Sequence, residues 1–166
     1  MTRWRVQEII ILTVFLWAVA TVTTAAMGGE LLLQVLKMPE EKVLLSLPVH
    51  SGDHFYLDYT HSSDHTPIHD TFVIEEGGTI ILLQEEFDWY GAGLEFHPGA
   101  KASISLEGKR TRVTMHRPFP NFLLRVGRVA GHRITCNDRV VPLQSIANGG
   151  DLVLIRTVDS KGVLHD

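Results

Sequence analysis

From Glu30 onward the chain is a succession of short segments in which apolar and polar residues alternate, with turn formers every ~8–12 residues. Strands are expected at residues 30–37, 43–49, 55–62, 68–74, 79–84, 102–106, 110–116, 121–126, 132–136, 139–143 and 151–158. Between them lie Gly, Pro, Asn and Asp clusters, among them Glu75-Glu76-Gly77-Gly78, Arg117 to Pro120 and Asn137-Asp138. Residues 144–147 are expected to form one helical turn. So many short strands can bury their apolar faces only against another sheet or by closing on themselves. The expected fold is therefore all-β, an antiparallel sandwich or partly closed barrel. At 166 residues the chain holds one such domain, over 30–158, with a loose tail at 159–166.

The first 29 residues follow a different pattern. Arg3 and Arg5 precede an uncharged run, Ile9 to Met27, and Gly28-Gly29 ends it. At about 1.5 Å per residue the run reaches the thickness of a bilayer's hydrocarbon core, ~30 Å. It reads as one N-terminal transmembrane or signal helix. The positive-inside rule sets the N-terminus in the cytoplasm and the domain outside. Thr24-Ala25-Ala26 offers a small-residue cleavage site, so a retained signal anchor and a cleaved signal peptide are both open. The expected location is the inner or cell membrane, single-pass, or the periplasm after cleavage.

The richest stretch runs from Phe55 to Leu94. In residues 55–62, Phe55, Leu57, Tyr59 and His61 share one face, and Tyr56, Asp58 and Thr60 share the other. In residues 68–74, Ile68, Asp70, Phe72 and Ile74 share a face opposite His69, Thr71 and Val73. If both apolar faces turn inward, one hairpin register sets His61 opposite Asp70. The adjacent permitted register makes them diagonal neighbours. A lone carboxylate on an apolar face costs several kcal/mol, so a partner for Asp70 is expected. His61, Asp70, His65 and Ser62 are the candidate ligand or structural cluster. It reads either as a hydrogen-bonded pair pinning the hairpin or as a ligand or divalent-metal site at the sheet end. Further on, Phe87, Trp89, Tyr90, Gly91, Gly93 and Leu94 form a glycine-aromatic loop. It is either a packed corner or a docking loop, since exposed Trp and Tyr anchor interfaces.

Tyr59-Thr60-His61-Ser62, Thr66-Pro67-Ile68-His69-Asp70, Phe87 and Tyr90-Gly91-Ala92-Gly93-Leu94 together resemble the domain-of-unknown-function family 1850. Asp70 stands where that family more often has Glu. The resemblance implies a small bacterial or archaeal protein with one N-terminal hydrophobic segment. It also implies a gene neighbourhood of tripartite ATP-independent periplasmic transporters of the TAXI subclass. It carries no catalytic residue.

Several function classes are excluded or disfavoured. The net charge is −4 and no basic patch with interleaved aromatics occurs, which disfavours nucleic acid. The single cysteine, Cys136, rules out an internal disulfide and reads as a buried strand thiol or an intermolecular link. His65 and His69 are four apart, but Pro67 between them spoils a helical metal face. No calcium-loop spacing, phosphate loop or serine elbow is present. The expectation is a non-enzymatic extracytoplasmic accessory protein, held to the membrane by residues 9–27 and in contact with a transporter permease or solute-binding protein. The alternative is a small-ligand or metal-binding module at His61, His65 and Asp70. No cofactor is expected apart from that metal.

Overall fold

The computed structural model of the chain describes residues 31–62, 65–88 and 102–161. Eleven strands run through them: β1 (Leu31–Met38), β2 (Lys42–Val49), β3 (His54–Thr60), β4 (Pro67–Ile74), β5 (Ile80–Phe87), β6 (Ser103–Glu107), β7 (Arg110–Phe119), β8 (Asn121–Arg125), β9 (Arg133–Cys136), β10 (Arg139–Pro142) and β11 (Leu152–Asp159). Single 3-10 turns at Glu76–Gly78 and Leu143–Ser145 are the helical pieces among the described residues. The expected N-terminal segment and the loop at 89–94 lie outside the described residues. Among those described, no helix is long and apolar enough to cross a membrane.

All strand pairs are antiparallel, and the strands form two sheets that do not close into a barrel. A four-stranded sheet has the order β2-β1-β11-β8, and a seven-stranded sheet the order β10-β9-β3-β4-β5-β7-β6. The chain changes sheet at β2–β3, β7–β8, β8–β9 and β10–β11. Pro120 alone separates β7 from β8, so the chain turns from one sheet into the other there. Asn137 and Asp138, with φ of 49° and 60°, form the two-residue turn between β9 and β10. Asn and Asp tolerate this left-handed region, and a turn of that hand matches the strand twist.

Alternation decides what is buried. In β4, Ile68, Asp70, Phe72 and Ile74 are buried, and the residues between them are half-exposed. The inner faces of both sheets contribute to one core containing Leu33, Val35, Leu47, Phe55, Leu57, Phe72, Ile134, Val153 and Ile155. Its centre is aromatic. Phe55 stacks on Phe72 at 4.7 Å within the large sheet, and Phe72 stacks on Phe122 of β8 at 5.3 Å across the sheets. Cys136 is buried on β9, as expected for a strand thiol. Gly78 (φ +85°) adds a second tie between sheets. The Thr157 hydroxyl of β11 donates to its carbonyl, and a Cβ at Gly78 would lie 2.8 Å from that hydroxyl.

Three boundaries differ from expectation by more than one residue. β3 ends at Thr60, because the backbone closes a turn beyond it. There the His61 N–H donates to Thr66 O at 2.9 Å, and the His65 N–H donates to His61 O at 3.0 Å. β5 continues to Phe87. β7 runs through Arg117 and Pro118 to Phe119, where a turn was expected. A register shift between Leu82 and Gln84 absorbs the irregularity, and Pro118 lies past the stretch of β7 that pairs with β6. Its missing N–H therefore costs no bond on that side.

Phe72 joins the within-sheet and between-sheet stacks and is 4% exposed. Phe72→Ala is expected to destabilise the domain by about 3–5 kcal/mol. Urea unfolding of wild type and variant measures this; a loss under ~1 kcal/mol would mean the stack does not organise the core.

Candidate functional site

The registers of the large sheet place one polar residue from each of five neighbouring strands on a single line across its outer face. Arg133 of β9 pairs with Asp58 of β3, and Asp58 with His69 of β4. His69 pairs with Glu86 of β5, and Glu86 with Arg112 of β7. Neighbouring strands lie ~4.8 Å apart, so side chains on one line come within reach of their neighbours. His69 Nδ1 lies 2.7 Å from Asp58 Oδ1. The carboxylate only accepts, so the imidazole N–H is the donor. The His69 ring also stacks on Tyr56 at 5.2 Å. Glu86 Oε1 accepts from Arg112 Nε at 2.7 Å and from Gln84 Nε2 at 2.9 Å. Arg112 reaches on to Glu107 at 3.0 Å. Arg110 lies 3.6 Å from Glu86 and 3.8 Å from Asp88. Arg133 makes no ion pair within the described residues.

A cleft of about 420 Å³ opens over the Arg133–Asp58–His69–Glu86 part of this line, at the ends of β3, β4 and β5. Asp58, His69, Glu86, Asp88, Arg110 and Arg133 supply its charged wall, and Tyr59, Ile68 and Phe87 its apolar wall. The arrangement offers both signs of charge, an oriented imidazole and an apolar floor. Those are the elements that fix a small polar molecule.

The inner face of the same strands carries a second polar feature. Asp70 lies opposite Leu57 on one side and Glu85 on the other. Its side chain is buried, and Oδ1 has no hydrogen-bond partner among the described residues. Burial first, then the charges of Glu85 and Asp58, push the Asp70 carboxyl up to about 8. Burial also raises Glu85, against the opposing pull of Arg117. Tyr59 is raised by burial and by both carboxyls. His132 stacks on Tyr59 at 5.3 Å, and burial lowers its pKa. The Gly127 N–H donates to His132 Nδ1 at 3.2 Å, leaving the neutral imidazole's proton on Nε2.

The expected His61–Asp70 pairing is not formed. The observed register sets Leu57 opposite Asp70 and Tyr59 opposite Ile68. His61 is four residues past Leu57, ~13 Å along the chain, in the closing turn. Asp70 therefore faces the core with Glu85. His61, Ser62 and His65 belong to the turn, where His65 adopts a positive φ of 59°. No group of three or more His, Cys, Asp or Glu among the described residues could hold a metal ion. Phe87 packs inward with Ile68 and Val113. Trp89, Tyr90, Gly91, Gly93 and Leu94 lie outside the described residues. Asp58 and His69 were legible as outward-facing from strand parity. Their juxtaposition with Glu86, Arg112 and Arg133 required the registers of four strand pairs.

A pH dependence follows from Asp70. Its folded pKa of about 8 lies above the ordinary 3.8, so between those values the folded state holds a proton that the unfolded state has lost. Stability is then expected to fall as pH rises from ~4 to ~8, by several kcal/mol at most, and to level off above. Glu85 acts in the same direction, and His132 in the opposite one near neutral pH. Comparison with Asp70→Asn isolates the Asp70 contribution. Urea midpoints of the two proteins across pH 4–9 should diverge in the variant's favour as pH rises; a pH-independent difference would show that Asp70 titrates normally.

A search of curated proteins and a search of solved structures returned no match. A family model, "Domain of unknown function (DUF1850)", matches residues 55–143. That span takes in all but the first residue of the seven-stranded sheet's elements, and with them Asp58, His69, Glu86, Arg112 and Arg133. The matched region covers more than half of the chain, and the protein belongs to the DUF1850 family.

Proposed function

We propose that this chain is an extracytoplasmic, membrane-associated accessory domain that binds a small polar ligand in the cleft over β3, β4 and β5. The observation that carries the reading is that Arg133, Asp58, His69 and Glu86, four successive members of the cross-strand line, all border that cleft. Exposed ion pairs on an open sheet face stabilise by little, because solvent screens them. Here four members of the line border a cleft whose ~420 Å³ lies within the usual range for small-molecule sites. Arg133 is the cation left without a carboxylate of its own among the described residues. The reading is non-enzymatic: the cleft's described residues offer charges and hydrogen bonds, and the site's role is recognition. The Arg3/Arg5-flanked apolar run at 9–27 supports an extracytoplasmic domain, anchored or released by cleavage.

The gene neighbourhood that the resemblance implies, with the Tyr90-Gly91-Ala92-Gly93-Leu94 sequence, is what supports a second element of the proposal, contact with a tripartite transporter's permease or solute-binding protein. The glycine-aromatic loop that follows β5 is the proposed contact.

Two experiments test these readings. In a thermal-shift panel of small acids, amines and zwitterions, one class is expected to raise Tm. Arg133→Ala or His69→Ala should weaken that binding roughly tenfold or more, the loss typical of one charged hydrogen bond. A full panel without a shift, or one unaffected by both variants, rejects the cleft as the binding site. For the transporter contact, crosslinking mass spectrometry on native membranes should recover a polytopic permease or a binding protein linked near Trp89 and Tyr90; recovery of neither rejects it.

A further inference from the structure

Among the described residues each sheet ends in two edge strands, and an unpaired edge is a template for further strand pairing. Three of the four carry a proline or an unpaired cation that discourages pairing, whereas the one charge of β6, Glu107, is already engaged by Arg112. β2 holds Pro48, a charged Lys42 and a register shift in its pairing with β1. β10 ends in Pro142 and starts at Arg139. β8 follows Pro120 directly and ends in Arg125. β6, Ser-Ile-Ser-Leu-Glu, has no proline, no cation and no register shift in its pairing with β7. All five of its residues are exposed. Ile104 and Leu106 are 46% and 72% exposed, yet the register places Ile104 opposite the buried Val113 and Leu106 opposite the buried Thr111. They therefore continue the sheet's apolar inner face past the strands that cover it.

We propose that β6 pairs antiparallel with β6 of a second copy of this chain, about a twofold axis through Ser105. This register is the one in which all five residues pair within the strand. It sets Ser105 opposite Ser105, Ile104 opposite Leu106 and Ser103 opposite Glu107. No like charges meet, and the single carboxylate faces a hydroxyl. A twofold axis perpendicular to the sheet keeps both apolar faces on one side, so the four Ile and Leu side chains form a continuous stripe. The outer edge of β6 gains backbone partners, and the two seven-stranded sheets become one. The interface is isologous, as closed dimers require. It leaves the cleft over β3, β4 and β5 free, because β7 lies between β6 and β5 in the sheet order and no β6 residue lines the cleft.

The test uses the full-length chain in native membranes. Opposed residues in an antiparallel pair have Cα atoms ~4.5–5.5 Å apart, within the span a disulfide bridges. Ser105→Cys under mild oxidation is expected to yield a homodimer whose linkage maps to residue 105 in both chains. The natural Cys136 is buried and serves as the internal control. Adding Leu106→Lys should abolish the crosslinked species. Leu106 is largely exposed, so circular dichroism should show the fold unchanged. Absence of a homodimer in the Ser105→Cys protein, a homodimer that survives Leu106→Lys, or a crosslink from residue 105 to a different protein would each overturn the proposal.

Discussion

The register between β3 and β4 is the constraint on which the rest of the structure depends. It sets Phe55 opposite Phe72, and the two rings stack at 4.7 Å. Phe72 then meets Phe122, which ties the large sheet to the small one. A slip of one residue would turn every β4 side chain to the other face. A slip of two would keep the faces but break the ring stack and move Asp70 away from Leu57. The same register brings Asp58 to His69 on the outer face, so core packing and site geometry have one cause.

The two faces of β3, β4 and β5 use their polar residues in opposite ways. On the outer face His69 pairs with Asp58 and Arg112 with Glu86, and water screens what is left over. On the inner face Asp70 and Glu85 lie side by side on neighbouring strands, and only Glu85 feels an opposing charge, from Arg117. Burial and mutual repulsion favour a protonated carboxyl there, which replaces the cost of an interior charge with that of an interior hydroxyl. The family-like sequence Thr66-Pro67-Ile68-His69-Asp70 is thus divided between two environments. His69 belongs to the cleft, and Asp70 belongs to the core.

Strand positions were legible because alternation is a local property. All eleven expected strands exist, including the short pair around Asn137-Asp138. Parity also assigned Asp70 inward and Asp58 and His69 outward, as the structure has them. The His61–Asp70 partnership failed because parity permits several registers and only packing chooses among them. With the Phe55–Phe72 stack formed, His61 and His65 are left in the turn beyond β3, where the register sets neither opposite Asp70.

By itself, then, the sequence determined the all-β class, the number and approximate limits of the strands, and which residues face the core. Each follows from neighbours a few positions apart. Tertiary structure alone decided the division into sheets of four and seven strands, the five-residue line whose first four members border the cleft, the Asp70–Glu85 adjacency and, among the described residues, the place of β6 at a sheet edge. Those depend on which strands meet and in what register. That choice is made by the summed packing of side chains far apart in the chain, and no single segment carries it.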